Sequence, residues 1–404
     1  MINTQTCEVC GSTDLKEVLN LGKHPLCDDL IPVGNETISN QYPIEILLCT
    51  KCLTAHQKFQ VPKHELFPKS YHYRSRFTQD VLNGMKDLAA NVDAYLPAGV
   101  RDKVILDIGS NDGSLLNYFK DLGAITVGVE PTDAAIDTKS HFVYQKYFDL
   151  ETAKEIKLKF GYPDVITFTN VFAHIENLHS VLDSINHLIG FDTLIVIENH
   201  YLGSILEKNQ FDTFYHEHPR TYSANSFKYI ARNLKAKINL ISFTERYGGN
   251  IQVYLSRGKE ELDFRTLHEV FENEKLFPLK FNRIEKSISI WKTKTSLLLS
   301  NLNSIYGAIP AKAFPGRAAI LIKLLNINEK QICAVYEKPG SQKIGNYVPG
   351  TRIPIKSDLE LNDIDQDLPI INLSWHIADE ISKYLSDLNY KGKIINIIDS
   401  DSFT

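Results

Sequence analysis

Apolar residues fall in short runs along this chain, and the runs form two groups. In the first, Val104-Ile-Leu-Asp-Ile108 reads as a buried parallel strand. It breaks at Gly109 and gives way, after Gly113, to the periodicity of a helix. Strands are predicted at 104–108, 125–130, 164–169 and 192–198 with helices between them, the alternation of a Rossmann-like α/β domain. Two later runs, 238–246 and 250–256, are separated by Tyr247-Gly-Gly249, a hairpin signal that adds antiparallel edges to the sheet. Residues 60–100 read as a connecting helical segment. Residues 258–303 are polar, with charges alternating in sign, and read as a solvated helical connector. A second α/β pattern starts near residue 305, with apolar runs Ile332–Tyr336, Leu368–Ser374 and Lys393–Ile398.

The turn after the first strand carries the first chemical signal. Asp107, Gly109, Asn111 and Gly113 form a strand–turn–helix with backbone N–H groups exposed at the turn. Glu130 ends the next apolar run, where a carboxylate suits the two hydroxyls of a ribose. A dinucleotide fold wants Gly-x-Gly-x-x-Gly, because its middle glycine admits a pyrophosphate. Here that position is Asn111, and the glycines are four apart. A polar turn that also holds Asp112 suits a ligand without phosphate and with positive charge, such as S-adenosylmethionine. The strand 164–169 runs into Asn170 and Val171, which abut the same pocket, since ligands sit at the carboxyl ends of parallel strands.

At 404 residues the chain has room for two or three domains, and its net charge of −5 offers no basic field to nucleic acid. The first residues lack the basic and apolar segments of a signal peptide, and no apolar run is long enough to span a bilayer. A cytoplasmic location and no membrane partner are therefore expected. Cys7-Glu-Val-Cys10 and Cys49-Thr-Lys-Cys52 each present two sulfurs, and two such turns complete a tetrahedral structural zinc site with Cys7, Cys10, Cys49 and Cys52 as ligands. Redox chemistry needs one such pair, not two. A closed four-thiolate site folds its module and takes no part in chemistry. Cys27 and Cys333 read as ordinary buried thiols. The expected division is residues 1–68 as the zinc module, 69–257 as the cofactor-binding core, 258–304 as the connector, and 305–404 as a smaller α/β domain.

Phe214-Tyr-His-Glu-His-Pro219 is the densest cluster of titratable groups. It follows the strand ending Ile197-Glu-Asn-His200, which should open onto the cofactor. A histidine there can take a proton near neutrality and return it, with Tyr215 and Glu217 to orient or polarise. HExxH is absent, and histidines two apart match no familiar zinc pair, which argues against a metalloprotease. His174 lies just beyond the strand that abuts the cofactor. Tyr71 and Tyr73 are packing aromatics or site residues.

These motifs resemble the S-adenosylmethionine-dependent sugar C-methyltransferases, which act on nucleotide-linked keto-deoxysugars. The resemblance spans nearly the whole length. It rests on the paired CxxC turns, Tyr71-His-Tyr-Arg-Ser75, Leu106–Gly113, Gly128-Val-Glu-Pro131, Asn170–His174, Phe211–His218, Gly248-Gly249, Tyr306–Lys312 and Gly345–Thr351. It implies a class I methyltransferase core and a general base at His218, with Tyr215 and Glu217 in the same motif. It further implies a second active-site histidine at His174 and a tyrosine, Tyr73 or Tyr71, that reaches the sugar. A nucleotide-sugar substrate (dTDP-, CDP- or GDP-linked), a monomer or homodimer, and a nucleotide grip through Lys312 or Lys338 follow as expectations. Asn250, where a serine is common, and the loop Ile309–Arg317 depart from the family pattern and leave nucleotide and sugar open. Three rivals remain: an O- or N-methyltransferase, a zinc-ribbon binding protein with an inactive core, and a dinucleotide oxidoreductase, the last disfavoured by Asn111.

Overall fold

The computed structural model describes residues 1–66, 74–138, 140–399 and 401–403. Among them, seven strands build the sheet anticipated by the first group of apolar runs. They are β1 (Val104–Ile108), β2 (Ile125–Val129), β3 (Phe142–Tyr144), β4 (Val165–Thr169), β5 (Leu194–His200), β6 (Lys237–Thr244) and β7 (Asn250–Ser256). Their order is β6-β7-β5-β4-β1-β2-β3. β1 pairs parallel with both β2 and β4, β2 with β3, and β4 with β5. β7 runs antiparallel to β5 and to β6, so the Gly-Gly hairpin is real and β7 is the one reversed strand of the seven. Strand order turns back on itself between β1 and β4, and ligands of open α/β sheets bind at the carboxyl ends flanking such a point. This is the Rossmann-like sheet of class I methyltransferases.

Helix α1 (Gln79–Tyr95) shows why the sheet is covered where it is. Val81, Met85, Leu88, Ala89 and Val92 recur at helical spacing, and all are buried. They pack with Ile105, Val165, Leu194, Val196 and Tyr254 from four strands. Burying one large apolar side chain contributes about 1.5–3 kcal/mol, so this stripe is a major anchor of the core. Gly84 stands within this helix for a steric reason. A Cβ there would stand 2.3 Å from Cδ of Arg246, whose Nη1 meets buried Glu198 at 3.1 Å.

By contacts the chain divides into two compact units, each drawn from three stretches: 1–17, 47–208 and 217–278 for the first, and 18–46, 209–216 and 279–404 for the second. The seven-stranded sheet and the four paired cysteines belong to the first. In the second, β8 (Ile309–Lys312), β9 (Ile332–Glu337), β10 (Ile355–Ser357), β11 (Ile370–Asn372) and β12 (Ile394–Asn396) form an all-parallel sheet in the order β10-β9-β8-β11-β12. The connector region is helical over His268–Lys275 and Phe277–Tyr306. No described helix is long and apolar enough to cross a membrane.

Two expectations are corrected in this second unit. Lys312 is no surface cation: its ammonium is buried, 2.8 Å from both oxygens of Asp358 and 3.2 Å from the Tyr336 carbonyl. A side chain so engaged serves the fold rather than a nucleotide. Cys333 is exposed rather than buried, because it points from β9 to the opposite face from its buried neighbours Ile332 and Ala334.

Candidate active site

The cofactor-side residues converge at the carboxyl ends of β1, β2 and β4. Gly109 and Gly113 take left-handed backbone, with φ of 74° and 78°. A side chain at Gly109 would also collide with Val171, whose Cγ2 stands 2.4 Å from where the Cβ would be. Asn111 and Asn170 adopt φ of 49° and 54°, a region that asparagine tolerates better than most residues. Asn111 N–H donates to Glu130 Oε2 at 3.0 Å, while Thr132 donates N–H and hydroxyl to Oε1 at 2.9 and 2.6 Å. The carboxylate is therefore fixed, with acceptor capacity left on Oε2. Asp107 is buried, and its Oδ1 accepts from Thr167 at 2.6 Å. Burial, with the nearby Glu130 charge, raises its carboxyl to about 7 despite that hydrogen bond. The segment after residue 73 is tied to the same loop: Ser75 N–H donates to Asn111 Oδ1 and Arg76 N–H to Asp112 Oδ2, each at 3.0 Å.

At the ends of β4 and β5, three imidazoles meet. His218 lies edge-on to His174, ring centroids 4.7 Å apart, and to His200 at 5.4 Å. Glu217 Oε2 stands 3.9 Å from His174 Nδ1. Burial lowers His174 to about 4, so its ring is neutral at pH 7. Glu198, fully buried on β5, holds this corner rigid: it accepts from Arg246, from Asn250 at 2.7 Å and from Gln252 at 2.7 Å. Asn250 also reaches Asn170 Oδ1 at 3.3 Å, which links the hairpin to the cofactor loop.

The Phe214–His218 block is divided between the units. Glu217 and His218 fall in the first, and Tyr215 and His216 in the second. His216 Nε2 donates to the Tyr42 carbonyl at 3.1 Å, and burial lowers its ring to about 4, so it serves packing. Upstream in the same unit, Asp212 Oδ2 meets Arg317 Nε and Trp375 Nε1, both at 2.9 Å. Tyr71 and Tyr73 lie outside the described residues.

The four cysteines of the paired turns form a cluster. Their sulfurs all lie within 4.8 Å of one another, with Cys7–Cys52 at 3.4 Å and Cys10–Cys49 at 3.6 Å. All four thiols are free of disulfides. The surroundings suit thiolates on a soft metal ion: the Thr54 hydroxyl is 3.0 Å from Cys52 Sγ, and His56 Nε2 is 3.3 Å from Cys7 Sγ.

Three family models match the chain in succession: "Putative zinc binding domain" over residues 7–67, "Methyltransferase domain" over 79–236, and "C-methyltransferase C-terminal domain" over 245–398. The chain thus carries a methyltransferase domain preceded by a zinc-binding type of domain and followed by the C-terminal domain of C-methyltransferases. C-methyltransferase NovU of Streptomyces niveus is 24% identical over 396 residues, covering 93% of this chain and 90% of that one. Among solved structures, a SAM-dependent methyltransferase from Archaeoglobus fulgidus aligns to 43% of this chain and 94% of its own length, with 17% identity and a TM-score of 0.36. Magnesium protoporphyrin IX methyltransferase of Synechocystis PCC 6803, with bound SAM, aligns to 44% and 80%, with 11% identity and a TM-score of 0.34.

The sequence pointed to His174, Glu217 and His218 but passed over His200. Its signal was present: it is the last residue of a strand expected to open onto the cofactor.

Proposed function

We propose that this enzyme methylates the carbon next to the ketone of a nucleotide-linked keto-deoxysugar, C3 of a 4-keto sugar, through an enolate formed by His218 as general base. The observation that carries the reading is the placement of His218 between two imidazoles, one of them held neutral. A ring that takes a proton beside a neutral partner avoids a second positive charge at 4.7 Å. Glu217 Oε2, 3.9 Å from His174 Nδ1, orients that neutral ring beside His218.

Carbon is a poor nucleophile until an adjacent ketone acidifies its C–H. His218 removes the C3 proton, and the electron pair moves into the enolate. His174 donates to the oxygen where charge develops. Bound S-adenosylmethionine supplies an electrophilic methyl to the enolate carbon. Glu130, through the open acceptor capacity of Oε2, would take a ribose hydroxyl, Asp107 would supply negative charge near the cationic portion, and Gly109, Gly113, Asn170 and Val171 would shape the walls. Cys7, Cys10, Cys49 and Cys52 hold a structural zinc with no open position for chemistry. A tyrosine at 71 or 73 completes the sugar contacts.

Incubation of a dTDP-4-keto-6-deoxysugar with the enzyme in deuterium oxide, without methyl donor, tests the reading. His218-dependent deuterium incorporation at C3 supports the enolate. Methyl transfer without any C3 exchange, with the methyl on oxygen or nitrogen, replaces it with the rival reaction.

A further inference from the structure

Glu8 sits inside the first cysteine turn, between Cys7 and Cys10, and its carboxylate meets a guanidinium with no solvent exposure, that of Arg220. Arg220 Nη1 also reaches the Glu176 carbonyl at 3.4 Å. Its Nε donates to the Tyr222 hydroxyl at 3.3 Å, which in turn donates to the Phe172 carbonyl at 3.3 Å. Phe172 and Glu176 flank His174 by two residues on each side, and Arg220 itself follows His218 by two residues.

A second strand of contacts closes the circuit. His56 and Arg220 are register partners in the antiparallel pairing of 55–57 with 220–221. Gln57 N–H donates to the Pro219 carbonyl at 2.9 Å. His56 puts Nε2 against Cys7 Sγ and leaves Nδ1 3.9 Å from the Glu8 oxygen that Arg220 also engages. A buried ion pair is weak evidence for stability, since apolar residues of like volume hold a fold as well. What the planar, five-donor guanidinium adds is fixed geometry.

We propose that Glu8 and Arg220 are positioning residues through which the four-cysteine site sets the orientation of His174 and His218. Zinc fixes the turn that carries Glu8, Glu8 fixes Arg220, and Arg220 fixes the backbone on both sides of the two imidazoles. The proposal rests on reading those histidines as the reacting groups, but its test reads their rings directly and needs no turnover.

The test is NMR of the full, zinc-loaded chain with ¹⁵N-labelled histidines. Glu8→Gln keeps the four thiolates and the shape of the acceptor. It should retain one zinc per chain and shift the His174 and His218 ring signals and their titrations, while exposed His268 stays unmoved. Unchanged His174 and His218 signals in zinc-loaded Glu8→Gln overturn the proposal. Arg220→Lys keeps the charge and loses the fork, so it should reproduce those shifts; wild-type signals there also overturn it. Should these two variants fail to fold, Tyr222→Phe decides, because an isosteric ring is tolerated in the core. A shift at His174 supports the link, and an unmoved His174 refutes it. If instead His218→Asn retains full turnover, the base reading fails while the ring signals still judge the coupling.

Discussion

His174 and His218 lie edge to face with ring centroids 4.7 Å apart, and burial keeps His174 unprotonated at neutral pH. A proton taken up by His218 therefore meets no second positive charge on its neighbour. His218→Asn should lower kcat by about 10²–10⁴-fold, the range of a lost general base. Calorimetry should show unchanged affinity for S-adenosylmethionine. Turnover within a few-fold of wild type would remove His218 from the base role.

His24, His174 and His216 are each lowered by burial to about 4 in the folded protein. An unfolded histidine titrates at about 6.5. Between those values the unfolded chain binds more protons, so stability rises with pH across that window and is lost as pH falls through it. The urea midpoint should fall markedly from pH 7 to pH 5, with a loss on the order of 1 kcal/mol per histidine over that interval. A flat profile from pH 7 to 5 contradicts the buried neutral rings.

Asp107 titrates near 7 because burial opposes its charge. A cationic ligand binds the ionised form, so protons compete with it. S-adenosylmethionine affinity should rise about tenfold per pH unit as pH approaches 7 from below and level off above it. Asp107→Asn should flatten that dependence in isothermal titration. A dissociation constant insensitive to pH between 5.5 and 7 in the wild type would show that Asp107 does not face the cation.

Replacing glycine by alanine inside a helix ordinarily stabilises it by about 1 kcal/mol. Gly84→Ala should do the reverse, because the added methyl meets the Arg246 stem at 2.3 Å while that side chain is held by Glu198. The steric term is expected to win, with a loss of about 1–3 kcal/mol, typical of overpacking. Denaturant melts of Gly84→Ala, Arg246→Ala and the double variant check this. Additive effects would mean that the two side chains never compete for the space.

What the sequence revealed was what local pattern controls. The Asp107–Gly113 turn, Glu130 and the Gly-Gly hairpin each depend on residues close in the chain, and the fold places them as read. β3 escaped notice because three residues at a sheet edge carry no periodicity. His200 escaped because its meeting with His218 depends on where a loop returns, not on either residue's neighbours. Lys312 looked like a free cation since nothing nearby in sequence announces Asp358, its partner 46 positions on. Arg220 was the deepest omission. It sits beside a motif that drew attention for its histidines, yet its carboxylate partner lies 212 positions away inside a cysteine turn.

That separation bears on how the protein can be made. Translation at 5–20 residues per second leaves an interval of roughly ten to forty seconds between the emergence of the acid and that of its base. Until then the four cysteines can already come together, but the acid among them stays hydrated and cannot take its final place. Shortened versions that stop ahead of position 220 should accordingly acquire zinc yet fail to seal that face, and refolding from denaturant should be slower than assembly of the knuckle alone.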